Sequence, residues 1–204
     1  MNGFVMTHTM NRLTMNRLVT ACLMVSALAL TACGSLTTGG ISKRTPMVQA
    51  IAAADKVAML PVANFTDVPQ AGLRVEALLE SALRLSGLKQ LVIYPPALNP
   101  ETLFEPSERK AQAEAEKWAK AQGMRYVVTA AVNEWRYKVG VDGEPAVGLM
   151  LQVKDLSNDQ VVYSSAGGRT GGSREALSAV GLQLTTELVA GIRVEQAGTP
   201  AKTR

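Results

Sequence analysis

The side chains able to form covalent bonds or hold metals are few, and they crowd one end of the chain. In 204 residues there is one histidine, His8, and there are two cysteines, Cys22 and Cys33. Zinc, iron–sulfur and haem sites draw on cysteine and histidine, and Ser–His or Cys–His nucleophilic catalysis needs a histidine. Beyond Cys33 the chain supplies neither. Seventeen carboxylates remain, enough that some pair must lie close, yet no spacing nominates a glycosidase-type dyad. Gly167-Gly168-Arg169-Thr170-Gly171-Gly172-Ser173 invites comparison with a phosphate loop. It lacks the Gly-Lys-Ser/Thr ending and the dinucleotide-fingerprint spacing, so it reads as a flexible strand exit before a helix cap. The expectation is a protein that is not an enzyme, with no metal and no cofactor.

Cys33 is the exception, because its surroundings assign it a covalent lipid. Arg12 and Arg17 precede an almost unbroken apolar run, Leu18 to Leu30, which fits a signal-peptide core and is too short to stay as a membrane span. Leu30-Thr31-Ala32-Cys33 follows at once, with Gly34 and Ser35 after it. That order resembles the bacterial lipobox, where cleavage occurs before a diacylglycerol-bearing cysteine. Cys22 sits too early in the apolar run to serve. A start at Met15 would give a signal of ordinary length. Several acyl chains, each methylene contributing about 0.8 kcal/mol, would hold the protein stably on a membrane. Gly34, rather than aspartate, after the cysteine resembles the sorting signal for the outer membrane, periplasmic face.

Removing residues 1–32 takes away Arg12, Arg17 and His8, so net charge falls from +4 to +2. Nucleic acid is therefore not an expected partner, and no disulfide can form within the mature chain. The fold must hold by its core, and the remaining length suffices for one domain.

Residues 33–50 read as lipid anchor and flexible tether, 51–195 as the folded domain, and 196–204 as a disordered tail. Lys56–Val62 is a short apolar strand followed by the polar turn Asn64-Phe65-Thr66-Asp67. Residues 70–86 place Leu73, Ala77, Leu78 and Leu85 at helical spacing, with Gly87 as the stop. Leu91–Tyr94 is a second strand, and 108–122 a helix whose Ala111, Ala115, Trp118 and Ala119 share a core-facing side. The period then changes to that of strands: Tyr126–Val139, Ala146–Lys154 and Val161–Ser165 form a meander with turns at 141–145 and 157–160. Ser173 caps a last helix with Leu177, Val180, Leu184, Leu188 and Ile192 at core spacing. The order β-α-β-α-β-β-β-α predicts a single α/β domain with a mixed sheet.

Two stretches then carry a resemblance. Lys56-Val57-Ala58-Met59-Leu60-Pro61-Val62-Ala63-Asn64-Phe65-Thr66 is similar to the first strand of a broad superfamily of CsgG-like and TolB-N-like envelope lipoproteins. Glu134 to Gly148, with Val161 to Gly167 and Ser173 to Ser178, resembles the PelC family, outer-membrane lipoproteins of Pel exopolysaccharide export. At Tyr163 the family pattern has tryptophan. The resemblance implies a homo-oligomeric ring under an outer-membrane export porin, with an aromatic belt toward lipid and a charged funnel toward the periplasm. It further implies a partly cationic exopolysaccharide as the passing chain, attracted by acidic side chains. Trp135 and Tyr163 are the candidates for the belt, although Trp135 could equally pack against a helix. Asp142, Glu144 and Asp67 are the candidates for the funnel, although Asp-Gly is also an ordinary turn former. Arg169 and Arg174 are the candidates for subunit contacts.

Two other functions compete with the ring. An activator of a peptidoglycan synthase would need a long tether, and 34–50 reaches about 60 Å at most. A secretion channel would need long amphipathic hairpins to cross the membrane. The lipid assignment makes a direct prediction. Cys33→Ala should leave an uncleaved, unlipidated precursor by mass, and a variant still processed and membrane-bound would overturn it.

Overall fold

A computed structural model describes residues 40–98, 108–140 and 143–195. The expected signal peptide, Cys33, Asp142 and the tail all lie outside the described residues. The described chain runs β1 (Gly40–Arg44), β2 (Val57–Met59), β3 (Ala63–Asn64), α1 (Ala71–Leu85), β4 (Leu91–Ile93), α2 (Glu108–Ala121), β5 (Tyr126–Tyr137), β6 (Pro145–Asp155), β7 (Gln160–Thr170) and α3 (Leu177–Val189). All seven strands share one mixed sheet of order β1-β7-β6-β5-β2-β4, with β3 beside β5. The α/β class and mixed sheet are as the sequence predicts, with β1 and β3 added.

Strand β5 is the seam. Its first residues pair in parallel with β2 and then β3, while its other edge pairs antiparallel with β6 along nearly its whole length. The expected strand Lys56–Val62 ends early, at Met59, and the two-residue β3 forms beyond it, because Pro61 has no N–H to give the ladder. Val62 N–H turns instead to the Glu76 carboxylate on α1, at 2.9 Å. A register shift between Val132 and Glu134 leaves Asn133 as a bulge on β5.

Helices α1 and α3 cover one face of the sheet and enclose the main core with Val57, Met59, Val128, Leu149, Leu151 and Val153. Helix α2 covers the other face only near β2, where Ala115 and Ala119 press on Ala58, Leu60 and Val127. Alanine at both contacts lets the helix lie close to the sheet. Trp118 is half-buried there, edge-on to Tyr94 at 5.2 Å between centroids. Lys154 of β6 reaches Glu116 of α2 at 2.8 Å, which fastens the helix to that end.

Four expectations change. Residues 40–50 are not all tether: β1 pairs antiparallel with β7, and Met47 is buried in the core. The core side of α1 is Val75, Leu79, Ala82 and Leu83, so Leu73, Ala77 and Leu85 face outward. A leucine-rich helix offers more than one apolar stripe, and packing chooses between them. Strand β7 does not stop at Ser165 but runs through Gly167 and Gly168 to Thr170. A Cβ on Gly167 would lie 2.8 Å from the Ile41 carbonyl oxygen and 3.0 Å from Leu184 Cδ1, so glycine there admits β1 and α3 together. Helix α3 begins at Leu177, after an Ala176 N-cap with no side-chain bond, rather than at a Ser173 cap.

The lower end of the sheet is closed by one ion pair. Arg125 donates from Nε and Nη2 to the Asp155 carboxylate at 3.0–3.2 Å, and Ser157 donates to the same group through its N–H and hydroxyl. Arg125 is the chief cause, with Ser157 helping, that Asp155 has its pKa lowered to about 2 despite burial. A depressed carboxylate stabilises the fold above its unfolded pKa and loses that contribution as pH falls. Asp155→Asn should cost about 1–3 kcal/mol at neutral pH. In urea unfolding the gap to wild type should narrow between roughly pH 4 and pH 2.

Candidate functional site

Beyond the reach of α2, the second face of β5, β6 and β7 has no covering element among the described residues. Alternation puts Leu149 and Leu151 into the core, so Met150 points to this open side, 45% exposed. Register aligns Ala131, Met150 and Ala166 in one row across the three strands, and Glu134, Gly148 and Gly168 in the next. A cleft of about 580 Å³ opens beside these rows, walled by Thr66, Asp67, Asn133, Glu134, Arg136 and Met150.

The wall carrying Asp67 is shaped by a polar turn. Asn64 Oδ1 accepts from Thr66 N–H at 3.1 Å and from its hydroxyl at 2.7 Å, while Asn64 Nδ2 donates to the Val68 carbonyl at 3.0 Å. This Asx turn ends the short β3 and projects Asp67 outward. Asp67 makes no ion pair among the described residues, whereas Glu134 accepts from Arg136 at 3.0 Å. The open side therefore presents a small-residue floor beside one carboxylate, Asp67, that has no ion pair among the described residues.

The remaining candidate residues are distributed differently. Glu144 stands at the root of the β5–β6 hairpin, 3.8 Å from Lys138, and does not line the cleft with Asp67. Arg169 is committed within the chain to Glu187 of α3, and its Nε is buried without an acceptor among the described residues. Arg174 is exposed and makes no ion pair among the described residues.

Trp135 and Tyr163 correct the aromatic-belt expectation. They are 3% and 1% exposed, both within the core that α3 closes. A Cβ on Gly181 would stand 2.7 Å from Trp135 Cη2, and one on Gly191 would meet the Tyr163 ring and hydroxyl. Glycine at both places lets the helical layer drop onto the two rings. Tyr163 donates its hydroxyl hydrogen to the Leu188 carbonyl, which satisfies the phenol in the interior. Tyr137 is the aromatic of β5 that reaches solvent, its hydroxyl oxygen accepting from Leu177 N–H at 3.2 Å.

Sequence reasoning missed Asn133, Met150 and Arg136 as cleft residues. The only signal was the break in alternation near Asn133. It also missed Glu76, whose burial raises its pKa while the Val62 N–H pulls the other way. Glu76 lines a crevice of about 430 Å³ with Pro61, Leu73, Ile93, Tyr94 and Pro96, at the carboxyl ends of β2 and β4. Among the described residues no group of three or more His, Cys, Asp or Glu could hold a metal ion.

No family model matches the sequence, and no curated protein does. Solved structures do. The chain is 38% identical to PelC of Paraburkholderia phytofirmans, described as a dodecamer, over 78% of this chain and 100% of that one, at TM-score 0.65. A dodecamer of a substituted PelC from the same organism, in a second crystal form, also matches at 38% identity and TM-score 0.65. It covers 77% of this chain and 100% of that one. The lipoprotein GNA1162 of Neisseria meningitidis shares the fold at 18% identity and TM-score 0.51, over 68% of this chain and 97% of that one.

The burial of Trp135 under Gly181 is open to test. Gly181→Ala should destabilise the protein by about 1–3 kcal/mol, because the added methyl overpacks the indole. Thermal unfolding followed by circular dichroism measures the loss, and an unchanged melting temperature would contradict the packing.

Proposed function

The chain belongs to the PelC family, and on that premise we propose that it is a non-catalytic lipoprotein of exopolysaccharide export. In this reading it is anchored at the periplasmic face of the outer membrane through Cys33 and closes into a homo-oligomeric ring beneath an export porin. The observation that carries it is the 38% identity to a dodecameric PelC across the whole of that relative. The lipobox order at Cys33 and the lack of histidine after residue 8 support the same reading.

Two structural features fit that role. Strand β1 begins at Gly40, so only residues 34–39 separate the lipid-bearing position from the sheet. At roughly 3.3–3.6 Å per extended residue, those six reach about 20 Å, which keeps the domain against the membrane. That is short for a protein that must cross the periplasm to activate a synthase. Closure into a ring also multiplies charge, since one acidic side chain per subunit becomes a belt. Asp142 and Asp67 would supply that belt and raise the local concentration of a cationic polymer. With Trp135 and Tyr163 buried, attachment to the membrane rests on the acyl chains.

The detergent-extracted protein should elute as one large discrete oligomer by light scattering, and a monomer would overturn the ring. Asp142→Lys should lower polymer export several-fold, possible to read as secreted polymer per cell at unchanged protein abundance. Unaltered export would remove Asp142 from the belt.

A further inference from the structure

Four hydrogen-bond donors without acceptors share one crevice where α3 begins. It has a volume of about 300 Å³ and lies between α1 and the start of α3, walled by Arg74, Leu78, Trp135, Tyr137, Leu177 and Ser178. Trp135 is 3% exposed, yet its Nε1–H has no acceptor among the described residues. Folded proteins seldom leave a buried donor unpaired. Gly181 meets the Cζ3 and Cη2 edge of that indole. The N–H lies on the opposite edge of the ring, turned from Gly181 into the crevice wall.

The helix end supplies more donors. α3 runs 13 residues, and its N-cap Ala176 makes no side-chain bond. Tyr137 serves instead: its hydroxyl oxygen accepts from Leu177 N–H at 3.2 Å, which leaves the hydroxyl hydrogen to give. Ala179 and Val180 N–H both turn to the Ala176 carbonyl, and Ser178 N–H has no acceptor among the described residues. Arg74 has no ion pair among them either. No acid stands in the described walls, and Glu175, the nearest in sequence, is held by Gly172 N–H and Gln183 Nε2. A guanidinium and three neutral donors at a helix N-terminus fit an oxyanion.

Position nominates the source of that oxyanion. Register places Gly40, Arg169, Val147 and Trp135 in one row across β1, β7, β6 and β5. Tyr137 lies two residues beyond that row, at the end of the sheet where β1 starts. The crevice therefore sits at the end nearest in sequence to Cys33, with only residues 34–39 between that cysteine and β1. Val139, just past Tyr137, is a fully exposed aliphatic side chain at that end, which a lipid boundary would cover. We propose that this crevice seats the phosphate of a membrane phospholipid, with Arg74 pairing the anion and Trp135, Tyr137 and Ser178 donating to its oxygens. The inference rests on the lipid-anchored reading above and deepens it. Acyl chains attach the domain, and the crevice sets which end of it meets the headgroups.

Full-length lipoprotein in dodecyl maltoside, a phosphate-free detergent, is titrated with dihexanoyl phosphatidylglycerol and followed by tryptophan fluorescence. The expected result is saturable binding, weakened at least tenfold by Arg74→Ala at an unchanged melting temperature and partly restored by Arg74→Lys. Tyr137→Phe, which removes one donor, should weaken it severalfold. A short-chain galactolipid, uncharged and without phosphate, should not bind.

An absence of saturation, or equal affinity for the galactolipid or in Arg74→Ala, would overturn the site. Glycerophosphate that binds as tightly as the lipid would overturn the membrane as its source. Oligomers that fall apart in Arg74→Ala while lipid binding persists would give the crevice to a neighbouring copy and overturn the proposal. An acylated, oligomeric protein that fails these titrations loses only the crevice, whereas a mass without acyl groups on Cys33 overturns the anchored reading itself.

Discussion

The seating of α3 on the sheet is the contact that the rest of the architecture depends on. Two large rings, Trp135 on β5 and Tyr163 on β7, rise from the sheet toward the helical layer, and glycines stand where they arrive. Any side chain at Gly181 or Gly191 would hold the layer away and open voids along Val180, Leu184 and Leu188. Tyr163 adds a direct tie, because its hydroxyl satisfies the Leu188 carbonyl near the end of α3. Gly167 repeats the principle farther along β7, where a methyl would strike both β1 and Leu184. Close approach at these three places lets a disulfide-free domain assemble a continuous core.

That commitment of bulk to one face leaves the other thinly covered. The face toward α1 and α3 is lined with valine, leucine and aromatic side chains, whereas the reverse face of β5–β7 carries alanine, glycine, serine, glutamine and Met150. Among the described residues only α2 occupies the reverse face, held by alanine contacts and by Glu116, Lys120, Lys154 and Asp159 in a linked cluster of ion pairs. These pairs are largely exposed and contribute modestly to stability, but they fix where the helix ends its coverage. A sheet face left open among the described residues is compatible with the assembly proposed above.

Membership in a family with dodecameric relatives gives that asymmetry a use. The charge distribution follows the same division. Buried or half-buried ions such as Asp155 and Arg169 are paired inside the chain, while Asp67, Arg74 and Arg174 are left unpaired at the surface among the described residues. The chain carries one histidine, His8, and none beyond it. In the role proposed above, its surfaces would act through shape, charge and repetition.

Periodicity alone was enough to place the three helices, the β5–β6–β7 meander and the core line of α3, because each has a strong apolar repeat bounded by glycine or a polar turn. Pattern and cysteine position also nominate Cys33 for lipid, at a position outside the described residues. Tertiary structure alone decided the matters that depend on what lies across from a residue. Strand β1 has five exposed residues and pairs only through its backbone, so it leaves no apolar signature. The inward side of α1 was a choice between leucine stripes, settled by contact with the sheet. The direction of Trp135 turned on a glycine 46 positions later in the chain. Local sequence sets which conformation a segment prefers; which of its sides is buried is set by a partner that only folding brings near.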